Sequence, residues 1–291
     1  MATQTADKIN VVNNPFANLW VVVRGGGDVI SGPIQRLRWA GFNVIVTELS
    51  HPLVVRRLVA FANAVYEGEC EVEGTPAKLV DTVEEAKVYL QRHPQGVPVL
   101  VDPDCNVLDE INPTVLIDGR MAKSPLDSDC RQAPIVIGLG PGLEAGVHVD
   151  AVVETKGGGQ CGRVYYEGSS IEDTGIPCVS SGYRQERVIR APTSGVFEAC
   201  TNIGDQVDAG ETVGWIIHPN GKTPITTKIS GVLRGLLYSG LQVEEDLKLG
   251  DLDHRGESSD CCRVSEKADS VAAGVLEAIF RLGVQQGVFA E

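Results

Sequence analysis

The N-terminal half of the chain alternates between short apolar runs and amphipathic segments. The run from Leu19 to Val23 is rich in valine, as expected for a strand buried on both faces of a parallel sheet. After a glycine turn, Ser31-Gly32-Pro33 is expected to open a helix that ends at Gly41. A second apolar run, Val44 to Thr47, ends at Glu48 and completes a predicted βαβ unit.

The same alternation continues through the following hundred or so residues. Thr82 and Glu85 form a capping box, which predicts a helix ending near His93. An alternating order of apolar strands and helices predicts an α/β fold with a Rossmann-like doubly wound parallel sheet. The other predicted elements are a helix over residues 52–63 and buried strands over 77–80, 97–101, 115–117 and 135–137.

The chain beyond Arg184 contains an internal repeat with a period of 36 residues. Ser194-Gly195-Val196 returns as Ser230-Gly231-Val232, and further matches follow in the same register. Because neither half can bury its apolar face alone, the two halves are predicted to interlock as one small β domain. Apolar residues at helical spacing from Ser265 to Leu282 predict a closing helix.

Chain length and the apolar pattern together predict how the chain divides into domains. The 291 residues predict a Rossmann-like nucleotide- or cofactor-binding domain over 1–184, a duplicated β domain over 185–253, and a connector with a C-terminal helix over 254–291. The longest apolar runs fall well short of the roughly 20 residues of a membrane helix, so no membrane span is predicted. The N-terminus lacks a secretory signal pattern, so the cytoplasm is the expected location.

The distribution of charge bears on function more than its total. A net charge of −14 argues against nucleic acid as a partner. Residues 1–60 nevertheless carry +3, which leaves −17 on the rest of the chain. This asymmetry favours binding of a small anion by the first segment, and exposed arginines on helix faces are the alternative. The basic residues of that segment are Lys8, Arg24, Arg36, Arg38, Arg56 and Arg57.

The eight cysteines and five histidines are scattered without metal-ligand spacing, so no metal site is predicted. Cys161 is a candidate reactive thiol because Lys156 and Arg163 flank it, and a buried structural thiol is the alternative. Nucleophilic triads assemble in space and have no local signature, so no catalytic residue is assigned.

The turn after the first strand is the sharpest candidate binding site. Gly25-Gly26-Gly27-Asp28 precedes a helix N-terminus, where unpaired amides and the helix dipole favour a phosphate. Glu48 stands where a ribose-binding acid belongs in dinucleotide-binding folds. The glycine pattern is incomplete, because Ile30 occupies a glycine position and Gly32 comes two residues later. A purely structural βα turn is the alternative.

Two further loops are expected at the same sheet edge. The glycine loop over residues 138–142, with Gly140 and Gly142, could close the crevice from the other side, and a tight turn is the alternative. The segment after the strand at 115–117 offers Asp118, Arg120 and Lys123, for which ordinary surface charge is the alternative.

Ordered blocks across nearly the whole chain resemble the YqeB family, accessory proteins of selenium-dependent molybdenum hydroxylases. The blocks are VVVRGGGDVISGPIQRLRWAGFNVIVTE, HPLVVRRLVAFANAVYEG, VLIDGRMAK, IGLGPGLEAG, VDAVVETKGGGQCGRVYYEG, ERVIRAP and LGDLDHRG with SEKADSVAAGVLEAIF. The resemblance implies a role in maturing hydroxylases of the xanthine dehydrogenase type. The matching positions implied as functional are Arg24, Gly25, Gly27, Asp28, Gly32, Glu48, Arg56, Arg57, Asp118, Lys123 and Gly140-Pro141-Gly142.

The chain departs from the YqeB family at one block. Its internal repeat resembles a second, unrelated family. Gly157-Gly158-Gly159 stands where the family resemblance leads us to expect Arg-Gly-His, so a cation and an imidazole are missing. The duplicated domain resembles the barrel-sandwich hybrid of biotinyl and lipoyl carriers, in which Lys222 would occupy the modified position. Methionines normally bracket a biotinyl lysine and none does so here, so neither biotin nor lipoate is expected.

The leading functional hypothesis is a maturation factor that binds a phosphate-bearing ligand, by resemblance a molybdopterin nucleotide. The site would lie between the loops at 25–32 and 138–142, and the partner would be a molybdenum hydroxylase apoenzyme or another maturation protein. One alternative is an NAD(P)-dependent oxidoreductase that uses the same βαβ unit. A second alternative is a non-catalytic scaffold, and a homo-oligomer remains open.

Overall fold

The structure is a computed structural model that describes residues 14–123, 127–172, 182–183 and 185–289. Lys8 and Asp7 of the predicted basic segment lie outside the described residues. The strands before residue 172 are β1 (Trp20–Arg24), β2 (Asn43–Glu48), β3 (Glu69–Val72), β4 (Thr75–Leu79), β5 (Val97–Val101), β6 (Val115–Asp118), β7 (Ile135–Leu139), β8 (Glu144–Ala145), β9 (Ala151–Val153), β10 (Val164–Tyr165) and β11 (Gly168–Ser169). The helices are α1 (Asp28–Ala40), α2 (Ala64–Glu67), α3 (Val83–Arg92), α4 (Val107–Ile111) and α5 (Glu266–Gln285), and 3₁₀ turns cover Arg57–Val59, Phe61–Asn63 and Ser258–Cys262.

A mixed nine-stranded sheet forms the centre of the first domain. Its order is β10-β9-β7-β6-β1-β2-β5-β4-β3, and β8 pairs with β11 in a separate ribbon. The inner pairings are parallel, whereas β3 and β10 run antiparallel to their neighbours at the two edges. The β3–β4 connection is a two-residue turn at Glu73 and Gly74, whose φ angles of 44° and 82° match the twist of a hairpin.

The predicted fold class is therefore wrong. It was a Rossmann-like doubly wound parallel sheet followed by a small duplicated barrel-sandwich hybrid and a C-terminal helix. The main sheet is mixed, and several antiparallel sheets accompany it. The strand β3 pairs with β4 in a hairpin, which needs no crossover helix, so the βα alternation in the sequence did not predict β3.

Both faces of the large sheet are covered by helices. Val21 and Val23 point into a core with α1 and α5, whereas Val22 points into a core with α3 and α4. The helix α5 thus returns from the end of the described chain to complete the first core. It crosses α1 closely, because a methyl group placed at Gly32 would lie 2.8 Å from the carbonyl oxygen of Ala268.

The β domain consists of two four-stranded antiparallel sheets around a shared core. Its repeats exchange strands: β18 of the second half pairs with β13, and β14 of the first half pairs with β17. The sheets have the orders β12-β19-β17-β14 and β16-β15-β13-β18, formed from β12 (Val188–Arg190), β13 (Gly195–Ala199), β14 (Gln206–Val207), β15 (Thr212–His218), β16 (Gly221–Thr226), β17 (Gly231–Leu236), β18 (Gln242–Val243) and β19 (Lys248–Asp253).

The segment over residues 52–63 belongs to the first domain and contacts the β domain. It was predicted to be one helix, but it is irregular and contains only short 3₁₀ turns. Its backbone is engaged instead by the β domain: the amide of Leu236 donates to the carbonyl of Val55 at 2.9 Å. Arg57 Nε donates to the carbonyl of Leu236, also at 2.9 Å. No helix in the described part of the chain combines the length and apolar character needed to cross a membrane.

Candidate functional site

The carboxyl ends of β1, β2 and β6 meet at one edge of the sheet. Arg24 pairs in register with Thr47 on one side and with Asp118 on the other. Gly25 follows with a φ of +90°, a conformation that favours glycine. The turn therefore leaves β1 sharply and leads directly into α1.

Two amides of the glycine turn are already used inside the protein. The amide of Gly25 donates to the carbonyl of Thr47 at 2.8 Å, and that of Gly26 donates to Oε1 of Glu48 at 2.7 Å. A methyl group at Gly26 would lie 2.8 Å from the amide nitrogen of Ala62, so this glycine allows close backbone packing. Gly25 and Gly26 are thus committed to building the turn.

The N-terminus of α1, by contrast, is open. Gly27 is its N-cap and provides no side-chain cap. Within the described residues, the amides of Gly27, Asp28 and Val29 have no hydrogen-bond partner. A methyl group at Gly27 would meet nothing within 4 Å, so there is room in front of the helix. Unbonded amides at the positive end of a 13-residue helix provide an environment that suits an anion.

Glu48 holds the turn in place. Its Oε1 accepts from Gly26, and its Oε2 accepts from the amide of Leu49 at 2.9 Å. Burial raises the pKa of Glu48, while the two amide donors act in the opposite direction. The carboxylate that was predicted to orient a ligand therefore makes its contacts in this structure with the backbone of the turn.

Arg24 extends over the opposite face of the sheet from α1. Side chains alternate between the two faces of a strand, so Arg24 lies on the same face of the sheet as Val22 and is only 2% exposed. Nη2 contacts Oδ2 of Asp127 at 2.8 Å, and Nη1 has no hydrogen-bond partner among the described residues. Arg24 therefore does not lie beside the first turn of α1.

Asp118 belongs to the same network as Arg24. Arg120 donates to both of its carboxylate oxygens, and Ser128 donates to Oδ2. Burial alone would raise the pKa of Asp118, but these hydrogen bonds outweigh burial and leave the pKa below its usual value. Arg120 also contacts Oδ1 of Asp127 at 2.8 Å, so the cluster is internally paired.

Arg56 is the predicted cation that reaches the N-terminus of α1. Its Nη1 lies 3.8 Å from Oδ2 of Asp28, and its Nη2 donates to the carbonyl of Arg263 at 3.0 Å. The residue is 6% exposed, and its Nε has no partner among the described residues. Burial is the main cause that lowers the pKa of Arg56, and the positive charge of the neighbouring Arg234 lowers it further.

Other predicted cations have structural partners elsewhere. Arg57 contacts the carbonyl of Leu236 in the β domain. Arg36 pairs with Asp269 of α5 at 2.7 Å. Arg38 donates to backbone carbonyls, and burial lowers its pKa to about 10. The basic first segment is therefore distributed over several interfaces, and Gly32 lies at the α1–α5 crossing.

The second predicted loop lies further along the same edge. Gly140 has a φ of +85°, and its amide donates to the carbonyl of Val153 at 3.1 Å. Gly142 is buried, next to the core residue Leu143. Lys123 is exposed and makes contacts of its own. Their role in binding stays a prediction.

Cys161 and Gly162 pack beside α5. The Cys161 thiol lies 3.7 Å from the carbonyl of Lys267, and the side chain is half-buried. Its reactivity stays a prediction. Lys222 lies on β16, with its ammonium 4.0 Å from the centre of the Trp215 ring. In the part of the chain that is described, no group of three His, Cys, Asp or Glu side chains is placed to hold a metal ion.

The charged residues that pair with one another in the β domain were not predicted. They are Arg187, Arg234, Lys248 and Asp251. The sequence held one sign of this cluster, because Asp251 interrupts an otherwise apolar strand pattern from Leu249 to Leu252. A carboxylate buried in such a strand needs cationic partners.

One curated relative supports the resemblance to the YqeB family. The chain is 43% identical over 276 residues to the uncharacterized protein YqeB of Escherichia coli (strain K12), a match that covers 95% of this chain and 50% of that protein. The chain thus spans about half the length of this relative. No known family profile matches the chain.

Comparison with solved structures gives only distant likenesses. An aspartoacylase family protein from Mesorhizobium loti is 9% identical, with 80% of this chain and 84% of that chain covered and a TM-score of 0.27. A succinylglutamate desuccinylase/aspartoacylase from Rhodobacter sphaeroides is 14% identical, with 80% and 85% covered and a TM-score of 0.27. These values are too low to support an inference about activity.

Proposed function

We propose that this protein binds a phosphate-bearing ligand at the N-terminus of α1 and acts as an accessory protein in the maturation of a molybdenum hydroxylase. One observation carries the binding proposal: the amides of Gly27, Asp28 and Val29 are unbonded, and the buried guanidinium of Arg56 lies 3.8 Å from the carboxylate of Asp28. Amides supply directed donors, and the guanidinium supplies positive charge.

The roles of the surrounding residues follow from their contacts. Glu48 fixes Gly26 and so aims the first turn of α1. Arg56 draws the Asp28 carboxylate towards itself, which reduces the repulsion that this carboxylate would exert on an incoming anion. Gly27 leaves open the space that a phosphate group would fill.

The maturation role rests on the resemblance to the YqeB family over nearly the whole chain. We propose a molybdopterin nucleotide as the ligand, because its phosphates suit a helix N-terminus with an adjacent arginine. The proposed partner is a molybdenum hydroxylase apoenzyme or another maturation protein, and the β domain offers a surface for docking it.

The test is replacement of Gly27 with valine, which fills the space in front of α1 without a clash. Binding of inorganic pyrophosphate is measured by calorimetry, and native mass spectrometry reports any ligand retained by protein from its own host. We expect Gly27→Val to abolish binding and to cost only about 1 kcal/mol of stability, since valine is a poorer N-cap than glycine. Gly159→Val is the matched control, because a methyl group at Gly159 also meets nothing within 4 Å.

Unchanged pyrophosphate binding in Gly27→Val would reject this site. Tight binding of NADH with hydride transfer to an acceptor would favour the oxidoreductase alternative. A wild-type protein that binds no phosphate compound would favour the scaffold alternative.

A further inference from the structure

A buried arginine lies at the carboxyl end of the central strand β1. Arg24 is the last residue of that strand, and its side chain is 2% exposed. Its Nη2 lies 2.8 Å from Oδ2 of Asp127 and 3.4 Å from the carbonyl oxygen of Pro103. Among the described residues, Asp127 is the one carboxylate within ion-pair distance of Arg24.

A second arginine shares the same carboxylate. Nη1 of Arg120 lies 2.8 Å from Oδ1 of Asp127. The other side of this guanidinium is held by Asp118, whose oxygens accept from Nε at 3.0 Å and from Nη2 at 2.7 Å. The hydrogen bond from Arg24 and the contacts of Arg120 lower the pKa of Asp127 to about 2. Two guanidiniums therefore converge on the two oxygens of one charged carboxylate.

The two carboxylates of this cluster differ in exposure. The side chain of Asp118 is 1% exposed, whereas that of Asp127 is 58% exposed. Asp118 is thus a fixed part of the sheet edge, and Asp127 covers the guanidiniums from the solvent side. Because Asp127 keeps much of its hydration, its exchange for another anion costs less than the loss of Asp118 would.

The pairing with Asp127 leaves one buried donor unused. Nη1 of Arg24 is buried and has no hydrogen-bond partner among the described residues. Such a donor is unfavourable unless another group satisfies it. A carboxylate has two oxygens, and those of Asp127 each face one arginine already. A phosphate group has at least three, so it can fill both positions and still offer an oxygen to Nη1 of Arg24.

The position in the sheet also favours a ligand. The chain leaves β1 through α1 to β2 on one side, and β6 lies on the other side, so the strand order reverses at β1. Ligands of open parallel sheets bind outside the carboxyl ends of the strands at such a point. Arg24 and Asp118 stand in register there.

We infer that Arg24 and Arg120 form a binding site for a phosphate group, and that the Asp127 carboxylate holds the place of this group. The phosphate displaces Asp127, and its oxygens accept from both guanidiniums, including Nη1 of Arg24. This inference goes beyond the proposed function and does not rest on it, because Arg24 lies on the face of the sheet away from α1.

The experiment compares Asp127→Ala with wild type in thermal unfolding and in calorimetric titration with inorganic phosphate. In a chloride buffer we expect the variant to unfold at a lower temperature, because Arg24 loses its counter-ion. Replacing chloride with phosphate at equal ionic strength is expected to restore the unfolding temperature. Phosphate should bind the variant about tenfold more tightly than wild type, equivalent to about 1.4 kcal/mol.

Asp129→Ala is the matched control. It removes the same charge two residues away, where the carboxylate pairs with the exposed Arg131. An equal phosphate response in the two variants would overturn the inference. The gain in Asp127→Ala is also expected to persist when Gly27→Val is added. Its loss there would assign the phosphate to the N-terminus of α1 and overturn this second site.

Two further comparisons complete the test. Asp127→Asn keeps the volume of the side chain, so it serves if Asp127→Ala does not fold. Phosphate is expected to bind it more tightly than Asp129→Asn, and equal binding would reject the site. Acetate should restore Asp127→Ala less than phosphate does, because it has no third oxygen for Nη1 of Arg24. Equal restoration by acetate would overturn the assignment to a phosphate group.

Discussion

The ring of Tyr66 stacks on the ring of Tyr238, with centroids 4.2 Å apart and planes 4° from parallel. Tyr66 belongs to α2 of the first domain, and Tyr238 follows β17 in the β domain. The hydroxyl of Tyr66 donates to the carbonyl of Pro52 at 2.6 Å, and the guanidinium of Arg57 lies 5.3 Å from the Tyr238 ring centre. The domain interface thus has an aromatic centre.

Replacing Tyr238 with alanine should weaken this interface. The change removes the stacked ring and the cation–π contact, and we expect a loss on the order of 2 kcal/mol in the free energy of unfolding. Urea unfolding measures the loss. Tyr238→Phe is the control, because it keeps the ring, and equal losses in the two variants would argue against stacking as the cause.

Replacing Gly32 with alanine should destabilise the first domain. Alanine would gain about 1 kcal/mol of helix propensity, but its methyl group would lie 2.8 Å from the Ala268 carbonyl oxygen. We expect a net loss of about 1 to 2 kcal/mol, measured by urea unfolding. Gly159→Ala introduces the same group into open space and should be close to neutral. A stabilised Gly32→Ala variant would show that α5 can move away.

The pKa of Glu48 should make stability depend on pH. Because burial raises this pKa in the folded state, folding is favoured while the side chain is protonated, and that stability is lost as pH rises through the folded pKa. We expect wild type to lose stability relative to Glu48→Gln as pH increases above about 4.3. Urea unfolding at several pH values gives the comparison, and a difference independent of pH would contradict the raised pKa.

Replacing Asp28 with asparagine should strengthen binding of pyrophosphate. The carboxylate adds negative charge at the mouth of the site and engages Arg56 at 3.8 Å, so its removal lowers repulsion and releases a cation. We expect affinity to rise about threefold to tenfold, at a cost of about 0.5 kcal/mol in helix stability. Calorimetric titration decides, and weaker binding would mean that the carboxylate itself contacts the ligand.

Local signals in the sequence predicted several elements closely. The helix N-cap predicted at Thr82 is confirmed, because the amide of Glu85 donates to Thr82 Oγ1 at 3.2 Å and α3 ends at Arg92. The reciprocal half of the capping box is shifted by one residue, because Oε2 of Glu85 accepts from the amide of Asp81. The closing helix is confirmed as well, with Ser265 as its N-cap. Such elements are specified by residues three or four positions apart, and these spacings are visible in the sequence.

Other features depend on partners distant in sequence. Pro33 was expected near the start of α1, yet the helix begins at Asp28 and contains Pro33 in its interior, since the chain is already held in place by the turn at Gly25. The segment at residues 52–63 is not a helix, because the carbonyl of Val55 accepts a hydrogen bond from the amide of Leu236 in the β domain. The cations around Asp251 were not predicted, because Arg187 and Arg234 lie far from Asp251 in sequence.

The placement of α5 has a consequence for the synthesis of the protein. One apolar side of the large sheet is covered by residues 266–285, more than a hundred positions after its inner strands. While the ribosome translates the intervening β domain, the part of that side that α5 will cover, beside α1, stays open to solvent and to chaperones. The first domain can therefore finish folding only after the β domain has emerged.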